Sequence, residues 1–424
     1  MAPRYGIIGA GIGGIVSARH ALDAGGNVTV FEQGKQIGGT WVLEDRTGAD
    51  EYGVPIHSSM YRGLRSNLPR ETMGYLDFEI EDRGTSYVPA EDVLEFVNRY
   101  AEKHVPRDRI MLQHQVIQVT RQFNEQQWLV IVRDLLEERI KMFHFDFLLI
   151  SVGHYASPVF PDHVERKLYA GRQLHSHDFR DPHDFRGEDV LVVGAGASAT
   201  DVALMVADVA NSVTVSHRRA VPLNFPPEKN IAQRVTFANL THDGASFVDG
   251  TAGTYGVVIF CTGYRFSFPF LSVDCGLTVK DRSIEPLYKH CININQPTMA
   301  IIGSTFPSLA ALMTDLQARF CVQLFSQRKT LPSKEEMLLD LAADQKERQD
   351  RGFDADRSEQ LFEDLQERYY KELAKVGDLQ PIPDVAIKLL HQSLRARDAC
   401  LLRFRDYLYK VDGDEFVIVK RPID

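Results

Sequence analysis

Two glycine-rich segments have the spacing of nucleotide-binding loops, and the first lies near the N-terminus. Gly9, Gly11 and Gly14 follow the pattern G-x-G-x-x-G. An apolar run at 4–9, predicted to be a strand, precedes the last two glycines, and a helix is predicted at 14–24. In such a turn the first glycine permits the sharp bend, the second lets the backbone approach a pyrophosphate, and the third lets the helix pack on the strand. The helix N-terminus then faces the negative charge.

An acidic residue completes this first pattern. Residues 27–31 are predicted to form the next strand, and Glu32 stands at its end, 23 residues after Gly9. An acid at this place can accept hydrogen bonds from ribose hydroxyls. Because strand, glycines, helix, second strand and acid occur in this order, the segment predicts a dinucleotide site.

A second glycine loop lies in the middle of the chain. Residues 189–194 predict a buried strand that ends in Gly194, and Gly196 follows. Ser198 and Ala199 then open a predicted helix. Ala199 stands where a third glycine is usual, and it is tolerated because only close packing is needed there. The segment predicts a second dinucleotide site.

The charge that follows the second loop differs from that of the first. The next predicted strand, 212–216, ends at Ser216, and His217, Arg218 and Arg219 follow without an acid. A carboxylate there would repel the 2′-phosphate of NADPH, whereas arginine offers it a permanently charged, bidentate fork. The second site is therefore predicted to prefer NADPH to NADH, with Ser216 and both arginines among its contacts.

The two sites together indicate an oxidoreductase. The first suits FAD, whose adenosine half docks like that of NAD, and the second suits the hydride donor NADPH. The predicted chemistry is hydride transfer from nicotinamide to flavin and onward transfer to a second acceptor. A pyridine nucleotide–disulfide reductase would share both folds but needs a dithiol pair, and the five cysteines include no CxxC pair. The same absence argues against a zinc knuckle, so no metal site is predicted.

The elements that must position these loops predict an α/β fold with two Rossmann-like dinucleotide-binding domains, the NADP domain being inserted into the FAD domain. We expect the first part of the FAD domain at 1–161, the NADP domain at 162–285, and the second part of the FAD domain with a C-terminal helical region at 286–424. A buried strand at 256–264 suits a chain that crosses back between domains, and 299–303 is predicted to close the FAD-domain sheet.

Further elements are predicted outside the two loops. An amphipathic helix is predicted at 90–104, directly after Pro89. Residues 333–376 are highly charged and predict a solvated helical layer to which no chemistry is assigned. Three strand-like runs, which resemble a β-meander attached to the first domain, lie near 110–120, 127–134 and 138–150.

The composition is that of a globular protein of about two domains. Of its 424 residues, 44% are hydrophobic and 25% charged. The net charge of −10 gives no support for binding nucleic acid or an anionic membrane. No apolar run approaches the roughly 18 residues that a membrane helix needs. We expect a soluble cytoplasmic protein, or a protein secreted into haemolymph if a leader once preceded residue 1.

Between the two loops lies a motif that resembles a family fingerprint. Residues 169–179, YAGRQLHSHDF, are similar to F-x-G-x-x-x-H-x-x-x-Y/F of the class B flavin-dependent monooxygenases (the flavin-containing monooxygenase family). Gly171, His175 and Phe179 match, and Tyr169 replaces the leading Phe with another aromatic ring. Related Baeyer–Villiger enzymes end this motif with Trp, so Phe179 favours oxygenation of a heteroatom. For His175 a structural role is preferred to that of a base, because in the family the motif positions the linker between domains.

Four other segments agree with this resemblance and occur in family order. Residues 38–41 (GGTW) resemble the turn that contacts the flavin, and 59–69 resemble the active-site stretch. Residues 260–264 (FCTGY) are similar to the family's linker, and 317–319 (QAR) to its flavin-side helix. The side chains and turns that the resemblance implies beside FAD are Gly39, Thr40, Trp41, Ser66, Asn67 and Gln317.

Within the family, the sequence most resembles insect enzymes that include the pyrrolizidine-alkaloid (senecionine) N-oxygenases. The resemblance implies that NADPH reduces FAD, that reduced flavin captures O2 as a C4a-hydroperoxide, and that a tertiary amine or a sulfide attacks its distal oxygen. Asn67 is then the active-site residue, an uncharged side chain with both a donor and an acceptor. The expected partners are a small amine or sulfide and O2, and a homo-oligomer is expected.

Several functions remain open at this point. An S-oxygenase of sulfides, an amino-acid N-hydroxylase and a Baeyer–Villiger monooxygenase of ketones would share both nucleotide sites. A non-catalytic nucleotide-binding protein that kept the fold would share them too. No local motif names the substrate, because the pocket is lined by side chains that only folding brings together.

Overall fold

The structure is a computed structural model that describes residues 2–122, 127–162, 164–354, 358–361 and 364–421. Its helices, numbered in chain order, are α1 (Ile12–Asp23), α2 (Ala90–His104), α3 (Ala197–Val206), α4 (Ala310–Phe325), α5 (Lys334–Asp350), α6 (Leu365–Gly377) and α7 (Asp384–Ala399). Its strands are β1 (Arg4–Ile8), β2 (Asn27–Glu32), β3 (Ile110–Leu112), β4 (His114–Gln122), β5 (Gln127–Asp134), β6 (Arg139–Phe145), β7 (Phe147–Ile150), β8 (Arg172–His175), β9 (Asp189–Val193), β10 (Ser212–Ser216), β11 (Ile231–Arg234), β12 (Phe237–Leu240), β13 (Gly244–Phe247), β14 (Ala252–Thr254), β15 (Val257–Phe260), β16 (Thr278–Val279), β17 (Ile284–Glu285), β18 (Leu287–Tyr288), β19 (Ile292–Asn293), β20 (Met299–Ile301), β21 (Leu408–Asp412) and β22 (Glu415–Lys420).

Two mainly parallel sheets organise the chain, and one is interrupted by the other along the sequence. The first has seven strands in the order β18-β19-β20-β7-β1-β2-β3, which come from before and after the segment that forms the second sheet. The second has five parallel strands in the order β11-β10-β9-β15-β8, all from the middle. This topology confirms the α/β fold with one nucleotide domain inserted into another. The domain boundaries at residues 161 and 285 stay predictions.

The helix that follows the first glycine loop forms because its apolar residues face the core. Ile15, Val16 and Ala18 of α1 are fully buried, and α1 packs on α4. A hydrogen-bonded pair joins the same two helices, with His20 Nε2 2.7 Å from Asp315 Oδ1. The first glycine loop is thereby held against elements about 300 residues further along the chain.

The predicted meander is present, but its outer ends belong to the first sheet. β4, β5 and β6 form the antiparallel meander, whereas β3 pairs with β2 and β7 pairs with β1. Gln113 adopts a left-handed φ of 55° and separates β3 from β4. Asp146 separates β6 from β7, since its carboxylate accepts a hydrogen bond from the Arg4 amide at 2.8 Å. Strand-like periodicity alone does not reveal such a change of partner.

The C-terminal helices are more closely packed than a solvated layer. Tyr369, Tyr370 and Leu373 of α6 are buried against the first domain's core, and Leu389 of α7 is fully buried. α5 is the more exposed helix, as expected from its charge. Residues 355–357 and 362–363 of the predicted helical stretch lie outside the described residues. Within the described part of the chain, no helix is both long and apolar enough to span a bilayer.

The chain leaves and re-enters the first domain at adjacent positions, where His175 is buried. Pro158 and Tyr264 form an antiparallel bridge between the outgoing and returning segments. His175 ends β8 with no exposed surface, and its ring meets those of Tyr264 and Phe160 at centroid distances of 5.2 and 5.5 Å. Its Nδ1 accepts the amide hydrogen of His177 at 3.0 Å. Burial lowers the pKa of His175 to about 4, so the ring is neutral near pH 7.

We expect His175 to make stability sensitive to acid. The unfolded chain binds a proton at this ring below about pH 6.5, whereas the folded protein does so only near pH 4. Stability should therefore fall as the pH is lowered through that window, with this residue contributing about 2 kcal/mol of loss at pH 5. His175→Asn keeps an acceptor in the place of Nδ1 but cannot titrate. Urea unfolding at pH 7 and pH 5 should show a smaller loss for this variant, and equal losses would contradict the assignment.

Candidate functional site

The first glycine loop has the close backbone approaches that a dinucleotide site requires. Gly9 has a φ of +100°, and a Cβ there would lie 2.5 Å from the Ser151 carbonyl oxygen. A Cβ on Gly14 would lie 1.8 Å from the carbonyl oxygen of Gly9, so the helix packs on the strand without room for a side chain. Gly11 differs, because the nearest atom to its Cβ position is the Gly39 Cα at 3.4 Å. The open side of Gly11 is where a pyrophosphate fits.

Glu32 stands beside this loop and holds its backbone. One carboxylate oxygen accepts the Ala10 amide hydrogen at 2.9 Å, and the other accepts that of Gly34 at 2.7 Å. Burial raises the pKa of Glu32, and the backbone amides oppose that shift. Each oxygen keeps further lone-pair capacity for a ribose hydroxyl. Glu32 therefore has a structural contact in addition to the predicted one.

The predicted flavin turn lies directly against the first loop. The Gly38 amide donates to the Ala10 carbonyl at 3.0 Å, and Gly39 has a left-handed φ of 57° and faces Gly11. Thr40 and Trp41 complete a 3₁₀ turn with Gly39, and both are half-buried. The Thr40 carbonyl accepts a hydrogen bond from the Ser58 hydroxyl at 3.0 Å. The turn thus connects the glycine loop to the predicted active-site stretch.

The second loop repeats the geometry of the first. Gly194 has a φ of +139°, and a Cβ there would lie 2.5 Å from the Cys261 carbonyl oxygen. Around the Cβ position of Gly196 there is no atom within 4 Å. Ala199 is fully buried at the place of the third glycine, and Ser198 is half-buried in the first turn of α3. Both loops leave open the space that their second glycine faces.

At the end of β10 one side chain is bonded within the protein, and the two arginines that follow are exposed. The Ser216 hydroxyl is buried and donates to the Val235 carbonyl at 2.7 Å, so it is occupied within the protein. The side chains of Arg218 and Arg219 are exposed, and within the described residues neither has a carboxylate partner. The Arg219 amide donates to the His217 ring at 3.2 Å, which shapes this turn. Two unneutralised guanidinium groups are suited to a phosphate.

The predicted active-site stretch contacts the inserted domain. Tyr61 donates its hydroxyl hydrogen to Asp201 of α3 at 3.0 Å. Asn67 is exposed, and its Oδ1 accepts a hydrogen bond from Arg405 at 2.6 Å. Ser66 is buried, and its hydroxyl donates to the Leu68 carbonyl and accepts from a backbone amide. The hydroxyl of Ser66 therefore fixes the backbone beside Asn67, and its predicted contact with FAD stays a prediction.

Gln317 is likewise engaged inside the protein. It is fully buried in α4, where its amide oxygen accepts the Gly303 amide hydrogen at 2.8 Å. Its amide nitrogen donates to the Tyr369 hydroxyl at 2.8 Å. Gly303 follows β20, and the Ile302 side chain lies 3.4 Å from the Cβ position of Gly13 in the first loop. Gln317 thus fixes the loop at Ile302 and Gly303, which packs beneath the first glycine loop.

The fingerprint residues also have structural contacts. Tyr169 donates to the Tyr255 carbonyl at 2.8 Å, and a Cβ on Gly171 would lie 2.4 Å from the Tyr169 hydroxyl. Phe179 is fully buried and meets the Tyr61 ring edge-on at a centroid distance of 5.3 Å. The motif therefore packs the linker on the stretch that carries Asn67.

Two arginines in this region were missed by sequence reasoning. Arg180 follows Phe179 and is nearly buried, and its position next to the fingerprint was its only local signal. Arg405 lies 338 residues from Asn67, so no local pattern could pair them. The backbone carbonyls that accept hydrogen bonds from Arg180 are those of Glu44, Arg46, Ser58, His177 and Phe179.

The family model described as flavin-binding monooxygenase-like matches residues 2–223 and 229–414. The senecionine N-oxygenase of Tyria jacobaeae is 30% identical, over 97% of this chain and 91% of its own length. The trimethylamine monooxygenase of Methylocella silvestris is 32% identical, over 80% of this chain and 77% of its own. Among solved structures, the S-allyl-L-cysteine S-oxygenase from Allium sativum is 27% identical with a TM-score of 0.89, covering 98% of this chain and 96% of that one.

These matches agree with the geometry of the site and with the fingerprint at 169–179. The family's flavin fits the first loop, whose open glycine face and acid lie beside the turn at 38–41. The match extends through almost the whole chain, both nucleotide loops included. The chain therefore belongs to the flavin-binding monooxygenase-like family, and it is an enzyme of the oxidoreductase class.

Proposed function

We propose that this enzyme uses NADPH and O2 to convert tertiary amines into N-oxides, with pyrrolizidine alkaloids as candidate substrates. One observation supports a reaction site that serves both cofactors. The stretch that carries Asn67 is bonded to the first site through Ser58 and Thr40, and to the second domain through Tyr61 and Asp201. A small molecule beside Asn67 would therefore lie between the two nucleotide sites.

The cofactors are assigned by the shape and charge of the two loops. FAD would bind at Gly9, Gly11 and Glu32 and at the turn at 38–41 that lies against this loop. Bound flavin supplies hydride acceptance and the activation of O2. NADPH would bind at Gly194 and Gly196 and at the turn that follows β10. The protein's own part is to hold both molecules, to exclude water and to present fixed hydrogen bonds.

An uncharged nucleophile suits the surroundings of Asn67. A tertiary amine reacts through the lone pair of its neutral form, so a free carboxylate beside it would favour the unreactive protonated form. Asp201 is the carboxylate in contact with this network, and it is neutralised by Arg405, with oxygen–nitrogen distances of 2.7 and 2.9 Å. Two similar proteins are named for amine substrates, senecionine and trimethylamine. Together these support an amine oxygenase.

S-oxygenation of sulfides is the second candidate function. It is supported by the likeness to the S-allyl-L-cysteine S-oxygenase, which covers 98% of this chain. A thioether is also an uncharged soft nucleophile, so the same surroundings of Asn67 would accept it. Product identification separates the two candidates.

The two loops predict separable losses of cofactor. Gly11→Ala and Glu32→Ala should purify with less flavin, because a methyl group enters the pyrophosphate space or the ribose acceptor is lost. Gly196→Ala should retain flavin and weaken NADPH binding by about tenfold or more. Flavin absorbance per polypeptide and NADPH titrations measure these effects. Full flavin in both variants of the first loop would show that this site is misplaced.

The arginine turn predicts a preference between nicotinamide cofactors. Arg218→Ala should raise the KM for NADPH by about 10- to 100-fold, as expected for hydrogen bonds to a charged group, and change that for NADH little. Steady-state kinetics with both cofactors test this. Arg186→Ala is the matched control. Arg186 is also exposed, but it lies before the first residue of β9, at the edge of the sheet opposite to Arg218. Equal losses with NADPH and NADH would contradict the phosphate contact.

A product screen tests the substrate class. Oxygen uptake with amines, sulfides and ketones, followed by mass analysis, should give N-oxides in near one-to-one ratio with NADPH consumed. Asn67→Leu should retain FAD and its reduction by NADPH but lose N-oxide, with the electrons released as hydrogen peroxide. A wild-type enzyme that oxidises only ketones would overturn the amine assignment. A colourless protein that binds neither flavin nor NADPH would indicate a non-catalytic role.

A further inference from the structure

The side chain of Asn67 is held by a residue from the far end of the chain. The Arg405 guanidinium donates to Asn67 Oδ1 at 2.6 Å and to the Ser66 carbonyl at 3.0 Å. The same group forms two bonds to Asp201 of α3, at 2.9 and 2.7 Å. One guanidinium therefore contacts the active-site stretch and the second nucleotide domain at the same time.

Contacts other than that with Asn67 also fix the position of Arg405. Its side chain is only 12% exposed, and that of Asp201 is 9% exposed. The Arg405 carbonyl accepts a hydrogen bond from Arg65 at 3.1 Å, which anchors its backbone to the same stretch. Phe404 packs its ring on Tyr87 in a fully buried cluster at a centroid distance of 5.3 Å. The position of the guanidinium is thus determined by packing on both sides.

The chemistry of arginine decides which end of the Asn67 amide it meets. A guanidinium carries only donors, whereas an amide has an acceptor oxygen and a donor nitrogen. Only Oδ1 can face Arg405 favourably, so Nδ2 with its two hydrogens must point the other way. Within the described residues Nδ2 has no protein partner, and the Asn67 side chain is exposed.

We propose that Arg405 is a positioning residue that orients Asn67 as a hydrogen-bond donor toward the reacting groups, and that Asp201 holds Arg405 in place for this purpose. This inference rests on the proposed function of the Asn67 stretch. Its consequence is chemical: Asn67 presents its N–H groups to an oxygen acceptor, while its own acceptor oxygen is bonded to Arg405. A residue that merely completed a turn would require no particular orientation of its amide.

Asn67→Asp separates these two roles. Aspartate has the same shape and keeps the oxygen that meets Arg405, but it replaces both N–H groups with a second acceptor. We expect this variant to retain flavin and a higher urea midpoint than Asn67→Leu, yet to lose N-oxide per NADPH by at least tenfold, with a matching rise in hydrogen peroxide. Unchanged N-oxide per NADPH in Asn67→Asp would overturn the donor role.

The part played by Arg405 is tested without leaving a charge buried. The double variant Arg405→Gln with Asp201→Asn removes both charges, because Arg405→Gln alone would leave Asp201 unpaired. We expect it to keep flavin and to lower N-oxide per NADPH several-fold, because the Asn67 amide can then rotate and exchange the positions of Oδ1 and Nδ2. Adding Asn67→Asp should cause little further loss of product. Full additivity of the two changes, or a wild-type product yield in the double variant, would overturn the positioning role.

A stability cycle distinguishes failure of this inference from failure of the proposed function. The urea midpoints of Asn67→Asp and Asn67→Leu are compared with Arg405 present and with both charges removed. We expect the advantage of Asp over Leu only where Arg405 is present, and this readout does not depend on any substrate. An advantage that persists without Arg405 would show that the contact does not set the side chain. A normal cycle in an enzyme that oxygenates no amine would instead count against the proposed function.

Discussion

Both nucleotide domains depend on the same close contact, in which the first glycine of the loop packs against a backbone carbonyl of a neighbouring segment. In each sheet, the strand before the glycine loop lies between two parallel strands. The first glycine of the loop donates its amide hydrogen to a carbonyl at the end of one of these strands, that of Phe31 for Gly9 and that of Ser216 for Gly194. Gly9 and Gly194 both have positive φ, and the carbonyl oxygen beyond the other neighbour, that of Ser151 or Cys261, leaves no room for a Cβ. A side chain there would meet that oxygen in a conformation that L-residues rarely adopt. The chain can thus turn sharply and present its helix N-terminus to a diphosphate.

This constraint is local, which explains why both glycine loops could be predicted from the sequence. In each domain the glycine spacing and the flanking apolar runs lie within one short unit, and in the first domain this unit also includes Glu32. The helix α2 at Ala90–His104 was predictable for the same reason, since a proline and an apolar periodicity define it. The elements around the two loops also predicted that one nucleotide domain is inserted into the other, and the sheet topology agrees with this.

The remaining parts of the site depend on contacts between distant segments. Ser66, Ser216 and Gln317 are predicted cofactor neighbours, and their side chains are buried and bonded to the protein. Their contacts with the cofactors stay predictions. Nothing in a local pattern distinguishes a polar side chain that binds a ligand from one that braces the backbone beneath it. The contact between Arg405 and Asn67 is invisible for the same reason, because tertiary packing alone brings the two together.

The Asp201–Arg405 pair shows why the C-terminal segment belongs to the site. Removing two charges from water costs free energy that their attraction only partly repays, so such a pair is a poor means of stabilising a fold. Once formed, however, it is costly to break, because either partner would be left charged and nearly buried. The pair joins a helix of the inserted domain to a residue that follows α7, and the same guanidinium contacts Asn67. A rotation of the inserted domain relative to the Asn67 stretch would have to break this pair, so the pair links the position of the domain to that of the Asn67 side chain.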